Sequence, residues 1–309
     1  MLKYLVILLD DTSTVYCHYE AGIRTPRLIA LDDLAKAITF GMKENLRIQF
    51  VYPEYSIPCE YEDLINSIDH INIKPVCRAK ADDIAVGKLS DFSQKVQSSN
   101  VVLRTFASEL LSGIEQITNV VFDIERVNLV ISDIASMSDD DTGTYREFLK
   151  HLVRFILQRC KAGERVPQLN ILTDRLMLTA MNNCNAGDEC ITVAPNGKFY
   201  VCPAFYYGGK SDCGSVSDGI SIKNQQLYKL NHAPICRECD AWHCHRCVWL
   251  NSEKTLEVNT PGRIQCVISH LERNASRELL AGLREIGEFL PETEISEISY
   301  LDPFEKIIK

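Results

Sequence analysis

Nine of the 13 cysteines of this chain lie between Cys184 and Cys266. Eight of them follow a regular order: Cys-x5-Cys-x11-Cys, then Cys-x2-Cys-x4-Cys-x2-Cys, then one more cysteine after a gap of eighteen residues. Thiols this close in sequence are usually metal ligands or disulfides. The same segment is rich in glycine, asparagine and aromatic residues and has little apolar periodicity. It therefore needs cross-links to stay ordered.

The redox state of the compartment indicates whether the clustered cysteines bind metal or form disulfides. The N-terminus carries only a short apolar run that ends at Asp10 and Asp11, whereas a secretory signal has a basic start, a longer apolar core and a small-residue cleavage site. No stretch approaches the roughly 20 apolar residues of a membrane span. We expect a cytoplasmic protein with no membrane partner, and structural disulfides are disfavoured there. The net charge of −9 also argues against nucleic acid as a main partner. The clustered thiols thus indicate metal.

The first 180 residues alternate between segments typical of strands and of helices. Buried apolar runs predict strands, and apolar residues at helical spacing predict helices. The predicted strands are residues 4–9, 47–52, 71–75, 101–104, 127–132 and 169–172, and the predicted helices are residues 31–45, 61–68, 106–117 and 145–160. This alternation predicts an α/β fold with a mostly parallel sheet, open or curled into a partial barrel.

A change in composition and apolar periodicity near residue 180 marks the predicted domain boundary. The 309 residues suffice for two domains of about 100–200 residues each, and we place these at 1–180 and 181–309. In the second domain, a turn at residues 195–198 separates strand-like residues 191–194 and 199–201, and a hairpin there would bring Cys190 and Cys202 together. A C-terminal helix is predicted over 268–289, and an acidic tail follows.

Two kinds of metal site fit the spacing of the thiols. A [4Fe–4S] cluster takes four thiolates, so that two clusters would use eight cysteines. Alternatively, the second half of the motif forms one zinc site, in which His243 or His245 replaces a thiolate or all four ligands are cysteines. The ligands of the all-cysteine zinc site would be Cys236, Cys239, Cys244 and Cys247. Four cysteines that the spacing leaves out are most simply buried apolar thiols; these are Cys59, Cys77, Cys160 and Cys213.

The cysteine-rich segment resembles the SPASM domain. The likeness runs from Cys184 to Cys266 and fills all eight positions, although two gaps of the second half are one residue shorter than in the usual Cys-x2-Cys-x5-Cys-x3-Cys. SPASM domains form the C-terminal part of many radical S-adenosylmethionine peptide-modifying enzymes and carry auxiliary [4Fe–4S] clusters. The resemblance implies two such clusters, one held by Cys184, Cys190, Cys202 and Cys247 and the other by Cys236, Cys239, Cys244 and Cys266.

The loop after the first strand departs from the pattern of those radical enzymes. They carry Cys-x3-Cys-x2-Cys at this point, and an alignment of that motif on Cys17 places Asp10 and Thr14 at its first two cysteine positions. A single cysteine cannot hold the cluster that this three-cysteine motif binds in those enzymes. We therefore expect a partial or degenerate radical-SAM-like β/α barrel, or an unrelated β/α domain in its place, and no binding of S-adenosylmethionine. Asp10 and Asp11 lie where β/α proteins place active sites, or they cap the following turn.

A narrower resemblance extends over nearly the whole chain. Residues 1–13 and 16–19, the cysteine-rich segment and residues 299–307 make the chain similar to the CXXX repeat peptide maturase family. This resemblance implies an iron–sulfur component that acts with a radical S-adenosylmethionine partner enzyme on a ribosomally made precursor peptide with Cys-x-x-x repeats. The alternative is a non-catalytic adaptor for the peptide or the partner enzyme, with a purely structural cysteine domain holding iron–sulfur clusters or zinc. We expect Tyr206 and Tyr207 either to line a peptide groove or to shield a cluster from solvent. No residue is assigned a catalytic role.

Overall fold

The computed structural model describes residues 1–93, 95–242, 246–287 and 294–295. In chain order, the strands are β1 (Tyr4–Leu8), β2 (Arg47–Val51), β3 (Ile71–Pro75), β4 (Ile84–Lys88), β5 (Asn100–Thr105), β6 (Arg126–Ile131), β7 (Gln168–Leu169), β8 (Cys190–Val193), β9 (Phe199–Tyr200), β10 (Gly214–Ser215) and β11 (Gly219–Ile220). The helices are α1 (Leu31–Lys43), α2 (Cys59–Ile65), α3 (Ile114–Asp123), α4 (Asp139–Lys161), α5 (Pro203–Tyr207), α6 (Val248–Lys254) and α7 (Arg263–Ile286). None of the helices in these described ranges combines the length and the apolar character that crossing a membrane requires.

These elements form two compact units. The first consists of Met1–Val86, Val96–Ser98 and Cys184–Ala233, and the second is drawn from Gly87–Lys95, Ser99–Asn183 and the chain from Pro234 on. Each unit takes residues from both sides of residue 180, and the domains predicted at 1–180 and 181–309 stay a prediction.

The first unit is built on a mostly parallel sheet with β1 near its middle. The strand order is β4-β3-β2-β1-β8-β9, and every neighbouring pair is parallel except the β8–β9 hairpin. Leu5, Ile7 and Leu8 of β1 are fully buried, as expected for a parallel strand covered on both faces. Cys190, the first residue of β8, is in register with Tyr4 of β1. The cysteine-rich segment thus supplies a strand to this sheet.

Helix α1 packs closely against this sheet. Its buried face includes Leu34, Ile38 and Gly41. A Cβ atom on Gly41 would lie 2.7 Å from Cδ1 of Ile48 in β2 and 3.0 Å from a methyl group of Leu5 in β1. Real Cβ atoms essentially never come that close to another heavy atom, so the glycine sets the close approach of α1 to the two strands.

The second unit combines three parallel strands, in the order β7-β6-β5, with the long helices α4 and α7. Helix α4 begins at a capping box, in which Ser138 Oγ accepts from the N–H of Asp141 (3.2 Å) and the Asp141 carboxylate accepts from the N–H of Ser138 (2.7 Å). The hydroxyl of Tyr145 on α4 donates to the fully buried carboxylate of Glu272 on α7 (2.7 Å). This bond ties the two helices together.

The predicted α/β class and the mostly parallel strands are confirmed, as is the hairpin of β8 and β9. The strands predicted over 4–9, 47–52, 71–75, 101–104 and 127–132 begin and end within one residue of the observed ones. The helix predicted over 106–117 is wrong: a 3₁₀ turn covers Ala107–Glu109, and the helix itself is α3. The Glu109 carboxylate accepts from the N–H of Phe106 (3.0 Å) and closes that turn. The radical-SAM-like barrel and the SPASM-like domain stay predictions.

Candidate metal centre

Three of the predicted ligands line one small cavity in the second unit. Cys236 and Cys239 stand at the two ends of a 3₁₀ turn, and the N–H of Cys239 donates to the carbonyl of Cys236 (3.2 Å). Cys266 and His270 lie one turn apart on α7, on the face that the cavity meets. All four side chains line the cavity, whose volume is about 20 Å³. Cys244, the predicted fourth thiolate, and His243 and His245 lie outside the described residues.

The sulfur of Cys239 already has polar neighbours. It accepts a hydrogen bond from the N–H of Ala241 (3.4 Å), and Nε2 of the buried His270 lies 3.8 Å away. Burial and, to a smaller extent, the Asp240 carboxylate raise the pKa of the Cys239 thiol, while the Ala241 N–H and the guanidinium groups of Arg273 and Arg175 act in the opposite direction. Metal coordination overcomes such a penalty, because a coordinating thiol loses its proton.

Buried arginines lie in the cavity wall and near Cys239. Arg246, which is 3 % exposed, belongs to the cavity wall, and the described wall contains no carboxylate. Arg273 is 4 % exposed; its Nε donates to the backbone carbonyl of Asp240 (3.2 Å) and its Nη2 donates to the Asp240 carboxylate. Arg175 donates to Glu272 (2.7 Å). Arg273 and Arg175 are thus paired with the Asp240 and Glu272 carboxylates, as buried charges must be.

The described thiols do not converge on a single point. Within the described ranges, no three histidine, cysteine, aspartate or glutamate side chains come close enough together to hold one metal ion. None of the twelve cysteines that the structure describes forms a disulfide. Cys236, Cys239 and Cys266 therefore share a cavity wall without a disulfide between them.

The other predicted set is divided between the units. Cys184, Cys190 and Cys202 belong to the first unit and Cys247, at the N-cap of α6, to the second. Cys184 and Cys190 are brought together by a tight loop, in which the N–H of Gly187 donates to the carbonyl of Cys190 (2.8 Å). Burial raises the pKa of the Cys190 thiol, and the neighbouring Cys184 thiol raises it further.

The half-buried Tyr16 and the buried Tyr19 lie close to thiols of the first unit. Burial raises the pKa of Tyr16 well above its usual value; Tyr19 and then the thiols of Cys190, Cys17 and Cys202 add to the effect. Cys17 thus lies in the same environment as Cys190 and Cys202, which the ligand spacing did not indicate. Of the cysteines expected to be buried, Cys160 and Cys213 are buried, whereas that expectation is wrong for Cys59, at the first position of α2, and for Cys77, in the turn after β3, which are both exposed.

The loop after β1 is held by its own side chains. Oδ1 of Asp10 accepts from the N–H of Thr12 (2.8 Å), which confirms the predicted turn-capping role. The fully buried Asp10 also accepts from the Tyr55 hydroxyl (2.7 Å). Asp11 forms an ion pair with Arg27 (2.9 Å) and accepts a hydrogen bond from the Tyr206 hydroxyl.

The aromatic pair after β9 is buried. Tyr206 and Tyr207 are 8 % and 7 % exposed, and the Tyr207 ring stacks on Tyr19 (ring centroids 5.6 Å apart). Arg24 lies over both rings, 5.7 Å and 5.6 Å from their centroids. Their burial fits the shielding role and not a solvent-open peptide groove.

No protein-family model matches the chain, and no curated protein is similar to it. Among solved structures, it is similar to Streptococcus suis SuiB bound to its precursor peptide SuiA, with 10 % identity and a TM-score of 0.45 over 74 % of this chain and 64 % of SuiB. SuiB bound to S-adenosylmethionine gives 11 % identity and a TM-score of 0.41 over 74 % of this chain and 63 % of SuiB. The chain spans less than two thirds of the length of SuiB, and a likeness this weak carries no conclusion about activity.

Proposed function

We propose that this chain is an iron–sulfur component of a system that modifies a ribosomally made Cys-x-x-x repeat peptide, together with a radical S-adenosylmethionine partner enzyme. The observation that carries the proposal is the cavity lined by Cys236, Cys239 and Cys266, in buried and cationic surroundings. The peptide and the partner enzyme rest on the sequence resemblance described above.

The residues fit a cluster by their chemistry. Each iron of a [4Fe–4S] cluster is bound by its own thiolate, so thiols that line one wall without converging suit a cluster better than a single ion. We assign one cluster to Cys236, Cys239, Cys244 and Cys266, and a second to Cys184, Cys190, Cys202 and Cys247. Such clusters supply one-electron transfer. With every iron bound by cysteine, electron transfer or structural support is favoured over direct binding of a substrate thiol.

One observation favours zinc as the alternative occupant. A cavity of about 20 Å³ has room for about one water-sized sphere, so that a cluster requires the cysteine side chains to turn outward. Zinc bound by Cys236, Cys239, Cys244 and Cys247 would suit a stand-alone or adaptor protein whose cysteine domain is only structural. The cysteines of the first unit stay unexplained in that case.

The residues of this chain have distinct roles in the proposed function. Asp10 and Asp11 keep the loop after β1 closed through Tyr55, Tyr206 and Arg27. This loop has one cysteine where a radical enzyme has three, so the partner enzyme would generate the radical.

An assay with the partner enzyme tests this function. The precursor peptide, the partner enzyme, S-adenosylmethionine and a reductant are combined with the wild-type chain or with the Cys239→Ala/Cys266→Ala variant, and the modified peptide is measured by mass spectrometry. We expect the wild-type chain to promote modification and the variant to lose most of it while still capturing the peptide. A variant that promotes modification as well as the wild type would instead establish the adaptor function, and an assay indifferent to the chain would exclude both.

A further inference from the structure

Five tyrosine rings of the first unit form an unbroken row. Neighbouring ring centroids are 5.1 Å, 5.3 Å, 5.6 Å and 6.1 Å apart in the order Tyr200, Tyr206, Tyr207, Tyr19 and Tyr16. Four of the tyrosines are buried, and Tyr16, at one end, is half-buried. Electron transfer weakens steeply with the distance between donor and acceptor, so rings in contact pass charge easily from one to the next. The row thus connects the buried Tyr206 with a ring that reaches solvent.

Tyr206 differs from the next ring of the row in what its hydroxyl contacts. It donates to the buried carboxylate of Asp11, which an ion pair with Arg27 (2.9 Å) holds in place, and Nη2 of Arg27 donates to the hydroxyl oxygen (3.0 Å). The buried hydroxyl of Tyr207 has no hydrogen-bond partner in the part of the chain that the structure describes. Tyr206 therefore has a base within reach of its proton, and Tyr207 does not.

A proton acceptor decides which ring can stay oxidised. A tyrosine that loses an electron becomes a strong acid, so that the loss is much easier where the hydroxyl proton can move to a base at once. Arg24 lies over the rings of Tyr206 and Tyr207, 5.7 Å and 5.6 Å from their centroids, and its charge opposes a positive charge on either ring. A positively charged Tyr207 is therefore disfavoured, whereas a neutral Tyr206 radical avoids this repulsion.

We propose that Tyr206 is a redox-active tyrosine, that Asp11 is its proton acceptor, and that the rings of Tyr207, Tyr19 and Tyr16 are its electron path to the surface. One electron leaves Tyr206 along these rings for a one-electron oxidant such as an oxidised metal complex. The O–H bond of Tyr206 breaks, its proton binds to the Asp11 carboxylate, and a neutral phenoxyl radical remains. A one-electron reductant later returns the electron, and Asp11 returns the proton. This activity goes beyond the proposed function and does not depend on the metal content of the chain.

Photo-oxidation of the full chain tests the inference. Light and a cobalt(III) quencher generate tris(bipyridine)ruthenium(III) as the oxidant, and electron paramagnetic resonance detects the radical in samples frozen after illumination. We expect a tyrosyl signal in the wild type and the loss of most of it in Tyr206→Phe and in Asp11→Asn. Tyr19→Phe keeps a packed ring but interrupts the path, since phenylalanine is much harder to oxidise, and should lower the signal several-fold.

Tyr145→Phe is the matched control. The Tyr145 hydroxyl also donates to a buried carboxylate, that of Glu272 (2.7 Å), but the residue belongs to the second unit and lies outside the row. This variant should therefore keep the wild-type signal. Its loss would show that a buried tyrosine–carboxylate pair suffices without the row and would overturn the inference.

The remaining outcomes test each part of the proposal separately. No tyrosyl signal in the wild type, or an equal signal in Tyr206→Phe, overturns the redox role of Tyr206. A Tyr19→Phe signal equal to that of the wild type overturns the path. Circular dichroism shows whether Asp11→Asn is folded, and an unchanged signal in the folded variant excludes Asp11 as the proton acceptor. If the variant does not fold, the wild-type radical should form more slowly in deuterium oxide, and equal rates in the two solvents would exclude the proton transfer.

Discussion

Asp11 shows how single residues define the loop after β1. Its carboxylate is held by Arg27 (2.9 Å) and by the Tyr206 hydroxyl, so that a buried charge is paired and hydrogen-bonded, as such groups must be. Burial, followed by the hydrogen bond to Asp11, raises the pKa of Tyr206 to about 12. The tyrosine therefore keeps its proton in the folded protein where an unfolded chain would lose it.

The Tyr206→Phe substitution should lower the free energy of unfolding by about 1–2 kcal/mol near neutral pH, because a hydrogen bond to a charged acceptor is lost. The raised pKa of Tyr206 also has a pH signature. Its contribution to stability is complete below the unfolded-state pKa of about 10 and is lost as the pH rises toward about 12. We expect Tyr206→Phe to lose less stability than the wild type over this window, as measured by urea unfolding. Tyr4→Phe on β1 is the control, and an equal loss of stability in Tyr206→Phe and wild type would contradict the assignment.

The loop between Cys184 and Cys190 depends on one glycine. Gly187 has φ of 85°, and a Cβ there would lie 2.6 Å from the ring of Tyr228. Gly209 also has a positive φ, 66°, but a Cβ there would meet nothing within 4 Å. Both glycines thus adopt a positive φ, but only at Gly187 does a neighbouring side chain occupy the space that a Cβ would need.

These two glycines make a matched pair for a test of the loop. Gly209→Ala should cost about 1 kcal/mol through backbone strain alone. Gly187→Ala should cost about 1–3 kcal/mol more, since the added methyl group also overlaps a ring. Thermal unfolding of both variants measures the difference. Equal losses in the two variants would show that the Tyr228 contact does not constrain this loop.

The elements show what sequence patterns can and cannot predict. β1 was predictable because it is a short apolar run that ends before Asp10 and Asp11, and β2 and β3 because apolar residues alternate with polar ones up to a proline. The pairing of β8 with β1 was not, since parallel pairing between residues 4 and 190 has no local signal. β4 (Ile84–Lys88) was missed because its apolar run is short and contains Gly87.

The candidate site was predictable in its thiols but not in its surroundings. Spacing pointed to eight cysteines, and the resemblance to the SPASM domain placed Cys236, Cys239 and Cys266 in one set. His270 had a signal that was overlooked, a histidine one helical turn after a predicted ligand. The buried Arg246 and Arg273 had none, because an arginine in a polar sequence is usually exposed.

At the scale of the whole molecule, the two proposed ligand sets can be disturbed separately. The described members of one set, Cys236, Cys239 and Cys266, all belong to the second unit, whereas the other set has Cys184, Cys190 and Cys202 in the first unit and Cys247 in the second. Because no cysteine belongs to both sets, substitutions in one set should leave the metal of the other in place.

Iron and acid-labile sulfide, measured per chain in protein purified without oxygen, test the central claim most directly. We predict about eight irons and as many sulfides in the wild type, as two cubanes require, and about half of each in the Cys239→Ala/Cys266→Ala variant. Cys160→Ala, which removes a buried thiol of the second unit that no ligand set includes, should keep the wild-type content. Wild-type protein with stoichiometric zinc and no sulfide would contradict the account.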